Sequence, residues 1–86
     1  MKIRFSHKFT KEFRKLKFSD REKTNYAIRL FKKNPFDPSL YNHKLKGDKK
    51  GVRSFSAGFD LRILYIEEDG HTLVIMLHVG KHSKVY

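Results

Sequence analysis

The 86 residues, 38% of them apolar, predict one domain over residues 1–86 that buries roughly 60–65% of the unfolded surface. The chain has no Cys, which excludes disulfides and thiolate chemistry, and no apolar run of 18 residues or signal segment, so we expect a cytoplasmic protein without membrane contact. Twenty Lys and Arg against nine Asp and Glu give a net charge of +11, which favours a polyanionic partner: RNA, DNA or an acidic protein segment.

The N-terminal residues predict a strand followed by a helix. Residues 2–6 alternate between polar and apolar side chains, which is typical of a short strand. Phe9, Phe13 and Leu16 then follow at i, i+4 and i+7, a spacing that forms one apolar stripe on a helix. The basic residues between them are expected to face water or a partner.

A second helix is predicted to begin near Asp20 and to end before Asn34 and Pro35. Ser19 and Glu22 have the spacing of a capping box, with Ser19 as the N-cap. Proline disfavours helical backbone at the preceding residue, which accounts for the predicted end. The expected buried residues of this helix are Ala27, Ile28, Leu30 and Phe31.

The second half of the chain predicts three strands. Residues 52–57, 61–66 and 73–79 are rich in β-branched and aromatic side chains, and residues 68–71 carry a hairpin signal. No helical segment separates these strands. We therefore predict an α+β fold in the order β-α-α-β-β-β, with the N-terminal strand and a two-helix hairpin packed on one face of an antiparallel β-sheet.

The hairpin loop at residues 69–71 also predicts a register for the last two strands. Arg62 is expected opposite His78, and Leu64 opposite Met76. One face is then wholly apolar and is expected to meet the helices, with the residues Leu61, Ile63, Tyr65, Leu73, Ile75, Leu77 and Val79.

The other face carries chemically useful groups at one end of the sheet. Asp60, Arg62, His78 and His82 are expected to gather there. Histidine acts as a general acid or base near neutral pH, and arginine is a permanent phosphate clamp. Such a set suits RNA cleavage without a metal, in which the 2′-hydroxyl attacks the adjacent phosphorus.

Structural interpretations compete with each of these roles. His78 is equally consistent with a polar residue at a strand end, and Asp60 with a simple ion pair to Arg62. His78 and His82 suggest a metal site, but neither Cys nor converging carboxylates complete the ligand set. We therefore expect no metal and no cofactor.

Three short segments give a resemblance over essentially the whole chain. They are residues 56–65 with S-A-G-F-D-L-R-I-L-Y, residues 79–82 with V-G-K-H, and the ending S-K-V-Y. In this order they resemble the RelE/YafQ branch of bacterial type II toxins. The resemblance implies an mRNA interferase that acts on mRNA in the ribosomal A site and is inhibited by a cognate antitoxin protein. Contact with DNA is then expected only through the antitoxin complex.

The resemblance also assigns candidate residues. His43, Asp60 and His82 match the YafQ-like histidines and aspartate, and Arg62 and Tyr86 match RelE-like positions, so these five are the expected catalytic residues. His82 is expected to be the principal acid or base, Arg62 to stabilise phosphoryl charge, and Tyr86 to orient or stack a nucleotide. The expected RNA contacts are Arg53, Lys81, Lys44, Lys46, Lys49 and Lys50.

Two positions depart from the YafQ-like pattern, and two other functions stay open. Ser56 stands where that branch has a further histidine, and Leu61 where it has a tryptophan. The first alternative function is a ParE-like inhibitor of DNA gyrase without nuclease activity. The second is a passive RNA-binding module whose affinity falls steeply with salt.

Overall fold

The computed structural model describes residues 1–49, 51–68, 70 and 72–85. Their elements are β1 (Lys2–Phe5), α1 (His7–Lys15), α2 (Phe18–Lys33), a 3₁₀ turn (Pro38–Leu40), β2 (His43–Lys44), a 3₁₀ turn (Gly47–Lys49), β3 (Arg53–Ser56), β4 (Leu61–Glu68), β5 (Leu73–Lys81) and α3 (His82–Val85). Within these ranges no helix is both long and apolar enough to cross a membrane. Asp69 and His71 of the predicted hairpin loop lie outside the described residues.

The five strands form one sheet in the order β1-β5-β4-β3-β2, with the two long helices packed on it, which confirms the α+β prediction. The pairs β2–β3, β3–β4 and β4–β5 are antiparallel. The expectation of a wholly antiparallel sheet is wrong for β1, which runs parallel to β5 and makes the sheet mixed. Strand β1 passes into α1 through Ser6 alone, and the Ser6 N–H donates to the Met76 carbonyl over 2.9 Å, so strand and helix follow the direction of β5.

Helix α1 covers the edge of β5 beyond the end of β1. The Ser6 hydroxyl accepts from the Phe9 N–H at the helix N-terminus and donates to the Leu77 carbonyl over 2.8 Å. Six residues further on, Glu12 Oε1 accepts from the Val79 N–H over 3.2 Å. Side chains of Ser6 and Glu12 thus form hydrogen bonds with backbone groups of β5. At an open sheet edge these backbone groups would bind water instead.

Helix α2 begins earlier than its sequence predicts. Lys17 is the N-cap and its side chain makes no capping bond, so the Ser19 capping box is wrong. The connection between α1 and α2 is stabilised instead by Arg21, whose Nη1 donates to the Leu16 carbonyl over 2.6 Å. This earlier start buries Asp20 in the first turn, at 5% exposure. The helix ends at Lys33, as predicted.

Aromatic rings join the helices to the middle of the sheet. Phe31 of α2 stacks on Phe55 of β3 at 4.7 Å between centroids and meets Tyr65 of β4 edge-on at 5.0 Å. The Tyr65 hydroxyl accepts from the Asn42 side-chain amide over 2.8 Å. Burial raises the pKa of Tyr65, and the Asn42 hydrogen bond opposes this rise. This cluster anchors the centre of the fold.

The predicted register between β4 and β5 is wrong by one residue near the loop, where Met76 pairs with Tyr65 and not Leu64, and by a second residue beyond a bulge in β5. Near the loop Glu68 pairs with Leu73, and further along Leu64 pairs with His78 and Arg62 with Gly80. The register changes between Leu64 and Tyr65, where β5 holds an additional residue. The β4 face was predicted correctly, whereas Val74 and Met76, not Leu73, Ile75 and Leu77, join Val79 in the core.

Candidate functional site

The turn between β3 and β4, residues 57–60, is closed by hydrogen bonds. The Ala57 N–H donates to the Leu61 carbonyl over 2.9 Å, and the Ser56 hydroxyl donates to the Gly58 carbonyl over 3.1 Å. Gly58 has a φ of 115°, a backbone conformation that residues other than glycine adopt only with strain. The backbone of this turn is therefore fixed by its own bonds and by one glycine.

Arg62 folds its guanidinium back onto the same turn. Its Nη1 lies 3.3 Å from the carbonyl oxygens of Gly58 and Phe59 and 3.0 Å from that of Leu61. The side chain is half-buried, and its charge persists at every physiological pH. The hydrogen bonds from Arg62 stabilise the turn and also fix the guanidinium. A permanent cation therefore lies at this end of β4.

His82 is attached to the turn through its backbone. The His82 N–H donates to the Asp60 carbonyl over 2.9 Å, and the imidazole is exposed. Helix α3 then folds back so closely that a Cβ at residue Gly80 would lie 3.1 Å from Val85 Cγ1, tighter than ordinary packing. Asp60, Arg62 and His82 therefore lie around one turn, at the end of the sheet where the sequence predicts them.

Lys81 lies between two carboxylates. Its Nζ is 3.8 Å from Asp60 Oδ2 and 3.8 Å from Oδ2 of the buried Asp20 in α2. Lys81 pairs with Leu61, a core residue, so its side chain lies on the helix side of the sheet. Its ammonium charge is thus shared with protein carboxylates, unlike the phosphate contact that the sequence predicts.

His43 lies on β2, on the same sheet face as Arg62. It pairs with Ser54 of β3, and on β3 the residue two further on, Ser56, pairs with Arg62. The exposed His43 ring places Nδ1 2.8 Å from the Tyr41 carbonyl. A carbonyl only accepts, so Nδ1 carries the proton in this contact, and Nε2 of the neutral ring is the acceptor. Tyr41 itself has a left-handed φ of 49°, which turns the chain into β2.

Arg53 lies on the other face of the sheet. It lies two residues from the core residue Phe55 on β3, so both side chains are on the helix side of the sheet, opposite to Arg62. Its Nε donates to Asn42 Oδ1 over 2.9 Å, and its guanidinium lies over the Phe36 ring at 5.4 Å. These contacts give Arg53 a structural role beside the connection that follows α2.

The predicted lysine contacts occupy β2 and the connection to β3. Lys44 and Lys46 are exposed, and Lys49 is half-buried in a 3₁₀ turn. They flank the β2 side of the sheet. Lys50 and the expected catalytic Tyr86 lie outside the described residues.

His78 does not lie opposite Arg62, contrary to the predicted register. The bulge in β5 moves it opposite Leu64, and its Nδ1 is 3.3 Å from Glu12 Oε1. His78 thus belongs to the contact between α1 and β5. The interpretation as a structural strand residue is the one that this geometry favours.

Two residues near the turn were not predicted from the sequence. The Phe59 side chain is 98% exposed at the turn, beside Asp60 and Arg62. The sequence signal for Phe59 was a glycine followed by a large apolar residue between two predicted strands. This pattern indicates an aromatic side chain exposed at a turn. The second residue is Asp20, which was hidden by the misleading capping pattern of Ser19 and Glu22.

The arrangement combines a fixed guanidinium, an exposed imidazole and a carboxylate around one rigid turn. Such groups bind a phosphate and move protons to and from its oxygens. Among the residues that the structure describes, no group of three or more His, Asp or Glu side chains is placed to hold a metal ion.

Solved structures share this fold. YafQ from E. coli strain BL21(DE3) is 23% identical, with 98% of this chain and 96% of that chain covered and a TM-score of 0.81. HP0894 from Helicobacter pylori, described as a conserved hypothetical protein, is 31% identical, with 100% and 99% covered and a TM-score of 0.72. A chain of the E. coli DinJ-YafQ toxin-antitoxin complex is 25% identical, with 98% and 94% covered and a TM-score of 0.76.

No curated protein sequence matches this chain significantly. Residues 1–86, the whole chain, match the family described as the bacterial toxin of type II toxin-antitoxin system, YafQ. This match agrees with the fold that the chain shares with YafQ from E. coli. The chain therefore belongs to the YafQ family of bacterial type II toxins.

Proposed function

We propose that this toxin is an endoribonuclease, an mRNA interferase that cleaves RNA without a metal at the turn between β3 and β4. The observation that carries the proposal is the attachment of Arg62 and His82 to the same four-residue turn. The guanidinium of Arg62 and the backbone of His82 are thereby attached to one turn, which supports acid–base catalysis at a phosphate bound there.

The proposed reaction is a transesterification. The RNA 2′-oxygen forms a bond to the adjacent phosphorus while the bond from phosphorus to the 5′-oxygen breaks, leaving a 2′,3′-cyclic phosphate and a 5′-hydroxyl. One group accepts the 2′-hydroxyl proton and another donates a proton to the departing oxygen. His82 is the principal general acid or base, since imidazole titrates near pH 6.5 and serves in either role.

The other candidates take supporting roles. Arg62 neutralises charge that develops on the phosphoryl oxygens. His43, with Nε2 available as an acceptor when neutral, is the second proton-transfer candidate, and Asp60 assists at the turn. Tyr86 orients or stacks a nucleotide.

The proposed substrate is mRNA in the ribosomal A site. The first 50 residues carry 16 basic and five acidic side chains, a distribution that steers the protein toward RNA phosphates. Lys44 and Lys46 are exposed on the β2 side and are the proposed phosphate contacts there. Arg53 and Lys81 contribute less in this proposal because both already bind protein groups.

A cognate antitoxin is the proposed protein partner, as in the E. coli DinJ-YafQ complex. A groove of about 350 Å³ between α1 and α2 is lined by Phe5, Phe9 and Phe13 and flanked by Arg29 and Lys32. An acidic segment with apolar anchors complements this groove, and the complex binds DNA through the antitoxin. Co-expression with the neighbouring gene's product is expected to yield a stable complex, and separate elution would contradict this partner.

The test of the nuclease proposal uses end-labelled mRNA in EDTA, with and without translating ribosomes. The expected products end in a 2′,3′-cyclic phosphate or 3′-phosphate, and the ribosome comparison identifies where cleavage occurs. Intact RNA under both conditions, together with inhibition of gyrase supercoiling, would replace the proposal with a ParE-like poison.

A further inference from the structure

Phe59 is the most exposed large apolar side chain among the described residues, at 98% exposure. It lies at the turn between β3 and β4, between Gly58 and Asp60, which are themselves exposed. A phenyl ring exposed to water contributes nothing to the hydrophobic core and lowers the solubility of the protein. Folding therefore gives no reason for an aromatic residue at this position.

Hydrogen bonds hold the backbone of the turn that carries this ring. The Phe59 carbonyl lies 3.3 Å from Arg62 Nη1, and the flanking carbonyls of Gly58 and Asp60 accept from Ser56 and from the His82 backbone. With both neighbours bonded, the backbone loses little further entropy when a ligand binds. The backbone that carries the ring is thus pre-organised beside the proposed site.

We propose that Phe59 is a stacking platform for an unpaired RNA base next to the cleaved phosphate. This inference rests on the proposed nuclease function and names a residue that selects and orients its substrate. Every base offers a π-face, and one exposed ring beside a cation is sufficient to hold it. The Arg62 guanidinium, fixed to the Phe59 carbonyl, supplies that cation.

A base fits this ring better than a protein partner does. Protein interfaces concentrate their energy in aromatic anchors that lie within a larger well-packed apolar patch. Phe59 has no such surroundings in its own turn, since a glycine and an aspartate flank it. The apolar groove between α1 and α2 is built from other residues.

The test measures binding to oligoribonucleotides that carry 2′-O-methyl groups, which block cleavage, and one 2-aminopurine at successive positions. Stacking on a ring quenches 2-aminopurine fluorescence. Wild-type protein is compared with Phe59→Ala, Phe59→Tyr and Phe18→Ala, the last being a matched control that removes a 68% exposed phenylalanine from the start of α2.

We expect Phe59→Ala to weaken RNA binding by about 5- to 150-fold, the loss typical of one base–aromatic stack. Quenching is lost at one position, the salt dependence is unchanged because no charge is removed, and Phe59→Tyr and Phe18→Ala behave as wild type. In cleavage, the effect falls on KM more than on kcat.

Two results would overturn the inference, and they are distinguishable. If wild-type protein binds and cleaves RNA while Phe59→Ala retains its affinity and quenching, the stacking role fails and the nuclease stands. If Phe59→Ala loses affinity for the antitoxin alone, the ring belongs to a protein interface. Failure of wild-type protein to bind or cleave any RNA instead overturns the nuclease proposal itself.

Discussion

Removing the Arg62 side chain should reduce RNA cleavage far more than it reduces stability. Nη1 carries two hydrogens that serve three carbonyl oxygens at 3.0 to 3.3 Å, so at most two full hydrogen bonds are lost. Bonds from charged donors contribute about 1.5–3 kcal/mol each, and water competes at this half-exposed site. We therefore expect Arg62→Ala to lower the free energy of unfolding by about 1–2 kcal/mol.

The loss of catalysis should be larger. A cation that stabilises developing charge typically contributes about 10²- to 10³-fold to rate. A domain with about 5 kcal/mol of stability stays more than 99% folded after losing 2 kcal/mol, so unfolding does not account for such a loss. Urea denaturation gives the stability change, and single-turnover cleavage at saturating enzyme gives the rate change.

Arg14→Ala is the matched control, since it removes an exposed arginine from the last turn of α1. It should leave the single-turnover rate within about twofold, as expected of an exposed charge that the proposed mechanism does not use. If Arg62→Ala cleaves as fast as Arg14→Ala, Arg62 does not stabilise the transition state.

Three further predictions concern the fold. Phe55→Ala, which truncates a fully buried ring stacked on Phe31, should lower the free energy of unfolding by about 3–5 kcal/mol, and a loss below 1 kcal/mol in urea denaturation would contradict the packing. Glu12→Ala leaves the Val79 N–H without its carboxylate, so hydrogen exchange at Val79 should accelerate by roughly tenfold or more, while exchange as slow as in wild type would refute this bond. Burial raises the pKa of Tyr65, so folding favours the protonated phenol: this stabilisation is present below about pH 10 and is lost as pH rises through the folded-state pKa. Stability measured across this range should fall less in Tyr65→Phe than in wild type, and identical slopes would contradict the assignment.

The sequence predicted the local elements well because hydrophobic periodicity reports directly on burial. The stripe containing Phe9 and Phe13 and the end of α2 before Asn34 are as expected. The gathering of Asp60, Arg62 and His82 was also predictable, since it needs only the order of two adjacent strands.

Long-range geometry was not predictable from these patterns. The alternation of β1 is the same in a parallel or antiparallel pair, so it did not reveal that β1 lies parallel to β5. A one-residue shift at the hairpin loop places Val74 and Met76 in the core, and one additional residue in β5 adds a second shift, so that Arg62 lies opposite Gly80 and not His78. The capping pattern at Ser19 was overridden because the earlier helix start buries Asp20 near Lys81.

The most direct test of the central claim is single-turnover cleavage of end-labelled mRNA in EDTA by wild type, His82→Ala and His7→Ala. His7 is an exposed histidine at the first residue of α1 and provides the matched control. We predict that His82→Ala loses about 10²- to 10⁴-fold in rate while keeping RNA affinity, and that His7→Ala cleaves as wild type. Cleavage by His82→Ala at the rate of His7→Ala would remove His82 from the mechanism and contradict the proposed active site.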